Sequence, residues 1–279
     1  MKILNKEILA DSQGVRIVKL TIHLPDIAAK AKAGQFVVLM VKEEGERIPL
    51  TIVKADAGQG SIEIIAQEAG LTTKLLAELK AGDFLYSIVG PLGHPTEIKK
   101  YGKVILVGGG VGIAEILPVA KALKDAGNQV TAIIGSRNKE LLILERDLKE
   151  ASDECVVMTD DGSYGRKGFV TEALKELLEK SKYDLVYAVG PIPMMRAVCG
   201  VTKPLGVLTL VSLNAIMVDG TGMCGCCRVR VGGKVRFSCV DGPEFDAAQV
   251  DWDELSKRNS IYGEKEKHIC RLHNEQVNK

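Results

Sequence analysis

The sequence predicts an all-β domain followed by an α/β domain and a small cysteine-rich module. Short segments rich in β-branched residues fill the first third of the chain, which is typical of antiparallel sheets. Strand and helix patterns then alternate, which indicates a parallel sheet with helices on both faces. The alternation ends where glycine and cysteine become frequent. We therefore expect three units, at residues 1–98, 99–212 and 213–279.

Composition excludes several classes of function. The chain has 279 residues, with 37 basic and 36 acidic side chains and a net charge of +1, which gives no support for nucleic-acid or anionic-membrane binding. It contains no run of about 18 apolar residues that could span a bilayer, and its N-terminus lacks the apolar core of a signal peptide. Four of the seven cysteines lie between Cys224 and Cys239, which favours metal chemistry in a reducing, cytoplasmic setting.

The first unit reads as strands with one helix. Segments such as VRIVKLTIHL, GQFVVLMV and SIEIIAQEA are bounded by turn residues, and a barrel is the natural way to close many short antiparallel strands. Leucines on one face predict a helix over residues 71–82. Arg47 could pair with a phosphate, Thr51 could hydrogen-bond a ligand, and the start of the helix could hold a second phosphate. An exposed arginine and a threonine N-cap are the alternatives.

The second unit opens with a glycine run at a junction of strand and helix. Gly109, Gly110 and Gly112 would let the backbone approach a pyrophosphate at the helix N-terminus. Ile113 stands where the last glycine of G-x-G-x-x-G would be, so a tight turn without a ligand is an alternative. The helix should end at Gly127. Later helical stretches are predicted over residues 139–151 and 169–180.

A second segment of this unit should face the same crevice. Gly190, Pro191 and Met194 follow the last predicted strand, and ligands of open α/β sheets bind at the carboxyl ends of strands. Asp161 is predicted to lie in a turn with Gly162, whereas Asp160 could lie in the turn or in the crevice. We expect Cys199, on the following helix, to be a buried thiol.

The third unit carries a cysteine pattern, Asp219-x₄-Cys224-x₂-Cys227-x₁₁-Cys239. Plant-type ferredoxins hold a 2Fe–2S cluster with four cysteines at C-x₄-C-x₂-C…C, and here aspartate takes the first place. Interspersed glycines would let the loop turn its backbone N–H groups toward such a cluster. A zinc site usually shows two C-x₂-C pairs or Cys/His mixtures. Zinc and inert thiols are the alternatives.

Three other side chains near this pattern are predicted to hold no metal. Cys226 lies between two proposed ligands and should point away from them. Cys270 and His268, in the polar C-terminal segment, are expected to be bystanders, and a metal site that includes them is the alternative.

Taken together, the motifs resemble those of a known family. The segments that carry the resemblance are IPLTI, ILVGGGVGIAEILP, TDDGSYGRKGFVTEAL, AVGPIPMM, DGTGMCGCCRV and FSCVDGPEFD. Over nearly its full length the chain resembles electron-transfer subunits of the ferredoxin–NADP reductase superfamily. It is similar to small subunits of NADH-dependent reduced ferredoxin:NADP oxidoreductases, also described as sulfide dehydrogenase subunits, and to the related dihydroorotate dehydrogenase subunits. Asp219 favours the first group, because the dihydroorotate dehydrogenase subunits carry cysteine there.

The resemblance implies an FAD-binding β-barrel, an NAD(H)-binding α/β domain and a 2Fe–2S module. The implied cluster ligands are Asp219, Cys224, Cys227 and Cys239. The implied cofactor-binding residues are Pro49, Leu50, Thr51, Gly70, Thr72 and Thr73 for FAD, and Gly109, Gly110, Gly112, Gly190, Pro191 and Met194 for NAD(H). The arginine of the family's flavin motif falls on Ile48, one residue after Arg47.

The resemblance also implies a reaction. NADH would give a hydride to the flavin, and single electrons would pass to the cluster and on to a larger flavin- and iron–sulfur-containing partner subunit, with no catalytic side chain beyond the cofactors. NADH rather than NADPH is what the family implies, although Arg137 could meet a 2′-phosphate. The alternatives are a dihydroorotate dehydrogenase or sulfide dehydrogenase electron-transfer subunit, and a zinc-loaded docking module without enzymatic activity.

Overall fold

The computed structural model describes residues 1–277, so the last two residues of the predicted third unit lie outside the described residues. The strands are β1 (Ile3–Ser12), β2 (Val15–His23), β3 (Phe36–Met40), β4 (Ile48–Thr51), β5 (Lys54–Asp56), β6 (Ser61–Gln67), β7 (Ser87–Leu92), β8 (Lys103–Gly109), β9 (Gln129–Ser136), β10 (Glu154–Thr159), β11 (Arg166–Lys167), β12 (Leu185–Val189), β13 (Thr209–Ser212), β14 (Arg228–Val231), β15 (Lys234–Phe237) and β16 (Glu244–Asp246). The helices are α1 (Pro25–Ala28), α2 (Leu71–Glu78), α3 (Gly112–Asp125), α4 (Glu145–Ala151), α5 (Val170–Lys180), α6 (Ile192–Thr202), α7 (Ser238–Asp241), α8 (Trp252–Asn259) and α9 (Gly263–Val277).

The N-terminal strands are antiparallel, as predicted, but their hydrogen bonds form two sheets instead of one closed barrel. One sheet has the order β1-β2-β6-β5 and the other β4-β3-β7. The chain changes sheets after β4, where the Ile52 amide donates to the Gln35 carbonyl and the Val53 amide donates to the Glu63 carbonyl. Pro49 lies in β4, which is an edge strand. Proline has no backbone N–H to donate, so within sheets it is found mainly at edges. The two sheets enclose a core of isoleucine, leucine and valine side chains.

The central sheet confirms the predicted α/β domain. Its order is β11-β10-β9-β8-β12-β13-β16, and every pairing is parallel except that of β13 with β16. Helices α3 and α4 pack on one face, and α5 and α6 pack on the other. The strand order reverses between β8 and β12, so the crevice where such sheets bind ligands opens beside the ends of these two strands.

Two predicted helices are shorter than expected. The helix predicted over residues 71–82 ends at Glu78, because Leu79 has an extended backbone. Residues 139–151 form a single 3₁₀ turn, Lys139–Leu141, followed by α4. The Asn138 side chain accepts a hydrogen bond from the Leu141 amide at 3.1 Å and so caps the turn. Leu141 and Ile143 are both buried, and a spacing of two residues does not place side chains on one helix face. Leu144 then has a φ of 55°, which separates the turn from α4.

The third unit has more regular structure than the glycine- and cysteine-rich sequence predicts. Strand β16 extends the central sheet, β14 and β15 form a hairpin, and α9 packs against α2 of the first domain. The unit therefore contacts both preceding domains, and the boundaries at residues 98 and 212 stay predictions. None of the helices described within residues 1–277 combines the length and the apolar composition of a membrane-spanning segment.

Candidate functional site

A cleft of about 520 Å³ opens at the carboxyl ends of the central strands. Four residues predicted to bind a nucleotide line it together: Gly109, Gly110, Pro191 and Met194. The glycine run and the segment after β12 are thus neighbours, as the strand order requires.

The glycines of this cleft have different physical roles. Gly110 has a φ of 58°, and a Cβ there would meet no atom within 4 Å, so its surface is open to a ligand. A Cβ on Gly112 would lie 2.5 Å from the Val189 carbonyl oxygen, so this glycine lets α3 pack closely against β12. A Cβ on Gly190 would lie 2.7 Å from Cε of Met194, which places this glycine in the packing behind the cleft.

The lining of this cleft also includes residues whose role the sequence analysis left open or did not predict. Asp160 lines the cleft, and burial raises the pKa of its carboxyl. Asp161 lies in the predicted turn and accepts from the Ser163 amide at 2.9 Å. Arg137 also lines the cleft. Phe169 lines it with 61% of its surface exposed, a feature that its place between a glycine and a helix did not reveal.

A second cleft, of about 270 Å³, lies where the three units meet. The first domain contributes the predicted flavin residues Pro49, Leu50, Thr51 and Thr73. The second contributes Val111, Ala114 and Glu115, and the third contributes Leu213, Asn214, Met217 and Pro243. Gln67 lines both this cleft and the larger one, so the two clefts adjoin.

A third, smaller cleft of about 200 Å³ continues from the second, with which it shares Ala69 and Thr73. Gly70 and Thr72 line it at the start of α2, and Glu266 and Ile269 of α9 form another part of its wall. The Thr73 hydroxyl accepts from the Gly70 amide at 3.0 Å and so stabilises the start of α2.

One threonine and one arginine that were considered as phosphate ligands make contacts within the protein. The Thr72 hydroxyl donates to Glu46 at 3.3 Å. Arg47 is exposed, and its Nε donates to Sδ of Met40 at 3.3 Å.

Glu115 is a site residue that the sequence analysis missed. It lies in the first turn of α3, hydrogen-bonds the Thr51 side chain, and reaches the second cleft. Burial raises the pKa of its carboxyl to about 7, and the bond to Thr51 opposes this rise. The sequence feature that could have identified Glu115 is its position as a single acidic residue within the apolar pattern at the start of α3.

A buried polar network lies close to this cleft. Oε1 of Glu244 accepts hydrogen bonds from the Thr96 hydroxyl at 2.5 Å and from the Tyr187 hydroxyl at 2.8 Å. Burial raises the pKa of both Glu244 and Tyr187. The network joins all three units, because its members come from different ones.

The cysteine loop brings its predicted ligands together in two pairs. Cys227 and Cys239 are buried, with their Sγ atoms 3.1 Å apart. Asp219 accepts from the Cys224 amide at 2.7 Å and from the Thr221 amide at 2.8 Å, and Cys224 is exposed. The structure does not draw the two pairs into one group: among the side chains that the structure describes, no three from His, Cys, Asp or Glu are placed to hold a metal ion.

The loop electrostatics differ between the two pairs. Backbone N–H groups, first that of Thr221, lower the pKa of the Asp219 carboxyl, and the Cys226 amide lowers the pKa of the Cys224 thiol. Burial raises the pKa of Cys239 to about 12. Burial, followed by a hydrogen bond with the Cys224 thiol, raises the pKa of Cys226. The Cys226 side chain therefore lies beside Cys224, and the prediction that it points away from that residue is wrong. The Cys226 backbone carbonyl accepts from Arg258 at 3.0 Å.

The donor set fits a 2Fe–2S cluster. Such a cluster takes four ligands, and the loop offers three thiols and one carboxylate on a backbone with positive φ at Gly220, Gly222 and Gly225. Cys199 is buried as predicted, and burial raises the pKa of its thiol.

Family models match all three units. Residues 2–96 match an oxidoreductase FAD-binding domain, and residues 106–200 match an oxidoreductase NAD-binding domain. Residues 214–251 match the iron–sulfur cluster binding domain of dihydroorotate dehydrogenase B.

Individual relatives cover nearly the whole chain. A dihydroorotate dehydrogenase B (NAD⁺) electron transfer subunit homolog of Thermotoga maritima is 51% identical, over 88% of this chain and 87% of that protein. The corresponding subunit of Geobacillus thermodenitrificans is 32% identical, over 90% of this chain and 97% of that protein. A chain of a solved NADH-dependent reduced ferredoxin–NADP oxidoreductase, described for flavin-based electron bifurcation, is 47% identical with a TM-score of 0.92, over 100% of this chain and 98% of that chain.

These matches confirm the predicted fold class and cofactor classes. The chain belongs to the family of dihydroorotate dehydrogenase B electron-transfer subunits and their homologues, as an oxidoreductase subunit with FAD-binding, NAD-binding and iron–sulfur cluster-binding domains.

Proposed function

We propose that this chain is the NAD(H)-oxidising or -reducing subunit of an electron-bifurcating NADH/ferredoxin:NADP transhydrogenase and passes electrons to a larger partner subunit. The observation that carries the proposal is the contiguity of the three sites. The nucleotide cleft adjoins the second cleft at Gln67, and the wall of the second cleft at Met217 leads within two residues to Asp219. The similarity to the bifurcating oxidoreductase supports the choice of complex.

In this proposal, each cleft has one occupant. NAD(H) binds between Gly110 and Met194, while Gly112 and Gly190 hold the walls in place behind it. Pro49, Leu50 and Thr51 contact the FAD ring system, and Gly70, Thr72 and Thr73 contact its diphosphate. When bound, FAD accepts two electrons together and releases them singly, which a one-electron cluster requires.

The cluster ligands in this proposal are Asp219, Cys224, Cys227 and Cys239. Cys227 and Cys239 already approach each other, and the loop amides hold Asp219 ionised beside Cys224. Exposure of Cys224 leaves one side of the loop accessible to a partner. The free cysteines agree with a reducing compartment, and we place the complex in the cytoplasm.

A second candidate is an electron-transfer subunit that serves a dihydroorotate dehydrogenase. Several relatives carry that name, including the one from Geobacillus thermodenitrificans. Asp219 opposes this candidate, because the resemblance places cysteine at that position in those subunits. A zinc-loaded docking module is a third, non-enzymatic candidate.

Two measurements test the proposal. NADH added anaerobically to the purified chain should bleach a flavin band at about 450 nm and produce the EPR signal of a reduced 2Fe–2S cluster. A colourless protein that contains zinc would exclude both electron-transfer candidates. Purification of the complex from its native source should then yield a larger flavin- and iron–sulfur-containing subunit; a dihydroorotate dehydrogenase in its place would overturn the transhydrogenase proposal.

A further inference from the structure

We propose that Glu115 compensates charge in the flavin cleft, by taking up a proton when the flavin is reduced and returning it when the electrons leave. The inference rests on the proposed placement of FAD in the second cleft. It does not depend on which partner subunit receives the electrons.

The local fold directs Glu115 into this cleft. Gly112 fixes the start of α3 against β12, because a Cβ there would lie 2.5 Å from the Val189 carbonyl oxygen. Ile113 and Ile116 are fully buried, which sets the rotation of the helix about its axis. Glu115 then reaches the cleft beside Thr51, and its side chain hydrogen-bonds that residue.

The surroundings of Glu115 contain little that would hold it ionised. From β4, Thr51 offers a neutral hydroxyl. From β12, Tyr187 faces it, but Tyr187 donates its proton to Glu244 of β16 and stays neutral because burial raises its pKa. Within the described residues, burial and the Thr51 hydrogen bond are the influences on Glu115, and no cation lowers its pKa. Its pKa of about 7 makes it ready to change charge near neutral pH.

The proposed role of Glu115 follows from the change in charge in the cleft when the flavin is reduced. Reduction by a hydride adds two electrons and one proton to the cleft, which leaves one additional negative charge there. A negative charge close to a half-buried carboxylate disfavours its ionised form, so Glu115 takes one proton from solvent. Two electrons and two protons have then entered the cleft. When the electrons leave singly for the cluster, both protons return to solvent and the cleft regains its starting charge.

The test counts protons taken up per flavin reduced. The slope of the flavin midpoint potential against pH gives this number in the purified chain, between about pH 8 and pH 9, where a carboxyl with a pKa of about 7 is mostly ionised before reduction. We expect about two protons in the wild-type chain and about one in Glu115→Gln, which keeps a polar group for Thr51. Glu115→Asp, which keeps the carboxyl, should restore part of the difference. Glu150→Gln, at an exposed glutamate of α4, is the matched control and should behave as wild type.

Each outcome decides the inference. A count of two in Glu115→Gln, with FAD bound and reducible by NADH, would overturn it, as would a count of one in the wild-type chain. Failure of the wild-type chain to bind FAD or to be reduced by NADH would instead overturn the proposed function. Glu115→Gln that retains FAD but loses the second proton supports the inference and excludes a purely structural role, because packing alone does not alter proton stoichiometry.

Discussion

Two glycine-rich loops of this chain are held in place by different kinds of contact. The glycine turn at residues 108–112 joins β8 to α3, and the Gly110 amide donates to the Gly135 carbonyl of β9 at 2.9 Å. The cysteine loop at residues 219–227 has positive φ at three glycines. It is held by the Asp219 carboxylate, which accepts two of its amides, and by the Ser238 amide, which donates to the Cys227 carbonyl.

The two loops differ in the groups that determine their conformation. The buried sheet and helix form the glycine turn, so it exists without its ligand, and its open surface at Gly110 can change without loss of the fold. The side chains that organise the cysteine loop are also its proposed metal ligands. A substitution there should therefore remove loop order and cofactor together, whereas a substitution in the glycine turn should remove binding alone.

The largest expected effect is at Asp219. In Asp219→Ala, the loop loses two hydrogen bonds and one proposed ligand, so we expect iron content to fall at least about tenfold. Asp219→Cys should keep a 2Fe–2S cluster with a shifted potential. Iron analysis and EPR of anaerobically purified protein measure both.

A neighbouring substitution provides the control for Asp219. Cys226→Ser changes a partly buried cysteine of the same loop that is not a proposed ligand, and it should keep iron at the wild-type level. Full iron content with an unchanged EPR spectrum in Asp219→Ala would show that this carboxylate is neither a ligand nor needed to hold the loop.

The next effect separates binding from folding in the glycine turn. Gly110→Val fills the open surface at the nucleotide cleft, so reduction of the flavin by NADH should be abolished while flavin and cluster stay bound. Stopped-flow absorbance measures the reduction rate.

Gly127→Val is the matched control for Gly110→Val, because Gly127 also has positive φ and open space but lies beyond the other end of α3. Each substitution should cost about 1–2 kcal/mol of unfolding free energy, and only Gly110→Val should stop reduction. Equal reduction rates in both variants would show that NADH does not bind in this cleft.

The comparison also explains what the sequence could predict. Strand and helix periodicity is local, so the α/β domain and the neighbouring positions of Gly110 and Met194 follow from pattern and strand order. The Cys227–Cys239 contact was predictable as well, because ligand spacing reflects the shape of a loop.

Other features depend on contacts between distant segments. Glu115 meets Thr51 only because α3 and β4 face one cleft, and no local pattern reports that meeting. The two sheets of the first domain arise where the chain changes hydrogen-bond partners at Ile52 and Val53, while the strand pattern on either side is the same as in a barrel. The break at Leu144 comes from burial of Leu141 and Ile143.

The smallest effect compares glycines of the two loops that share one conformation. Gly110, Gly222 and Gly225 all have positive φ, so alanine should cost each about 1 kcal/mol, or roughly 2–4 °C of thermal midpoint. Gly222→Ala should cost slightly more than Gly225→Ala, because its Cβ would lie 3.0 Å from Val240, whereas that of Gly225 would meet Phe237 at 3.6 Å.

Cofactor retention then distinguishes the loops, even where the stability costs are equal. Cluster absorbance followed during slow exposure to a chelator should decay faster in Gly222→Ala and Gly225→Ala than in the wild-type chain, but at the wild-type rate in Gly110→Ala. Because the three substitutions impose the same backbone strain, any difference in decay reports which loop holds the iron. Equal decay in all three variants would mean that cluster retention follows global stability, and the cysteine loop would then be as independent of its ligand as the glycine turn.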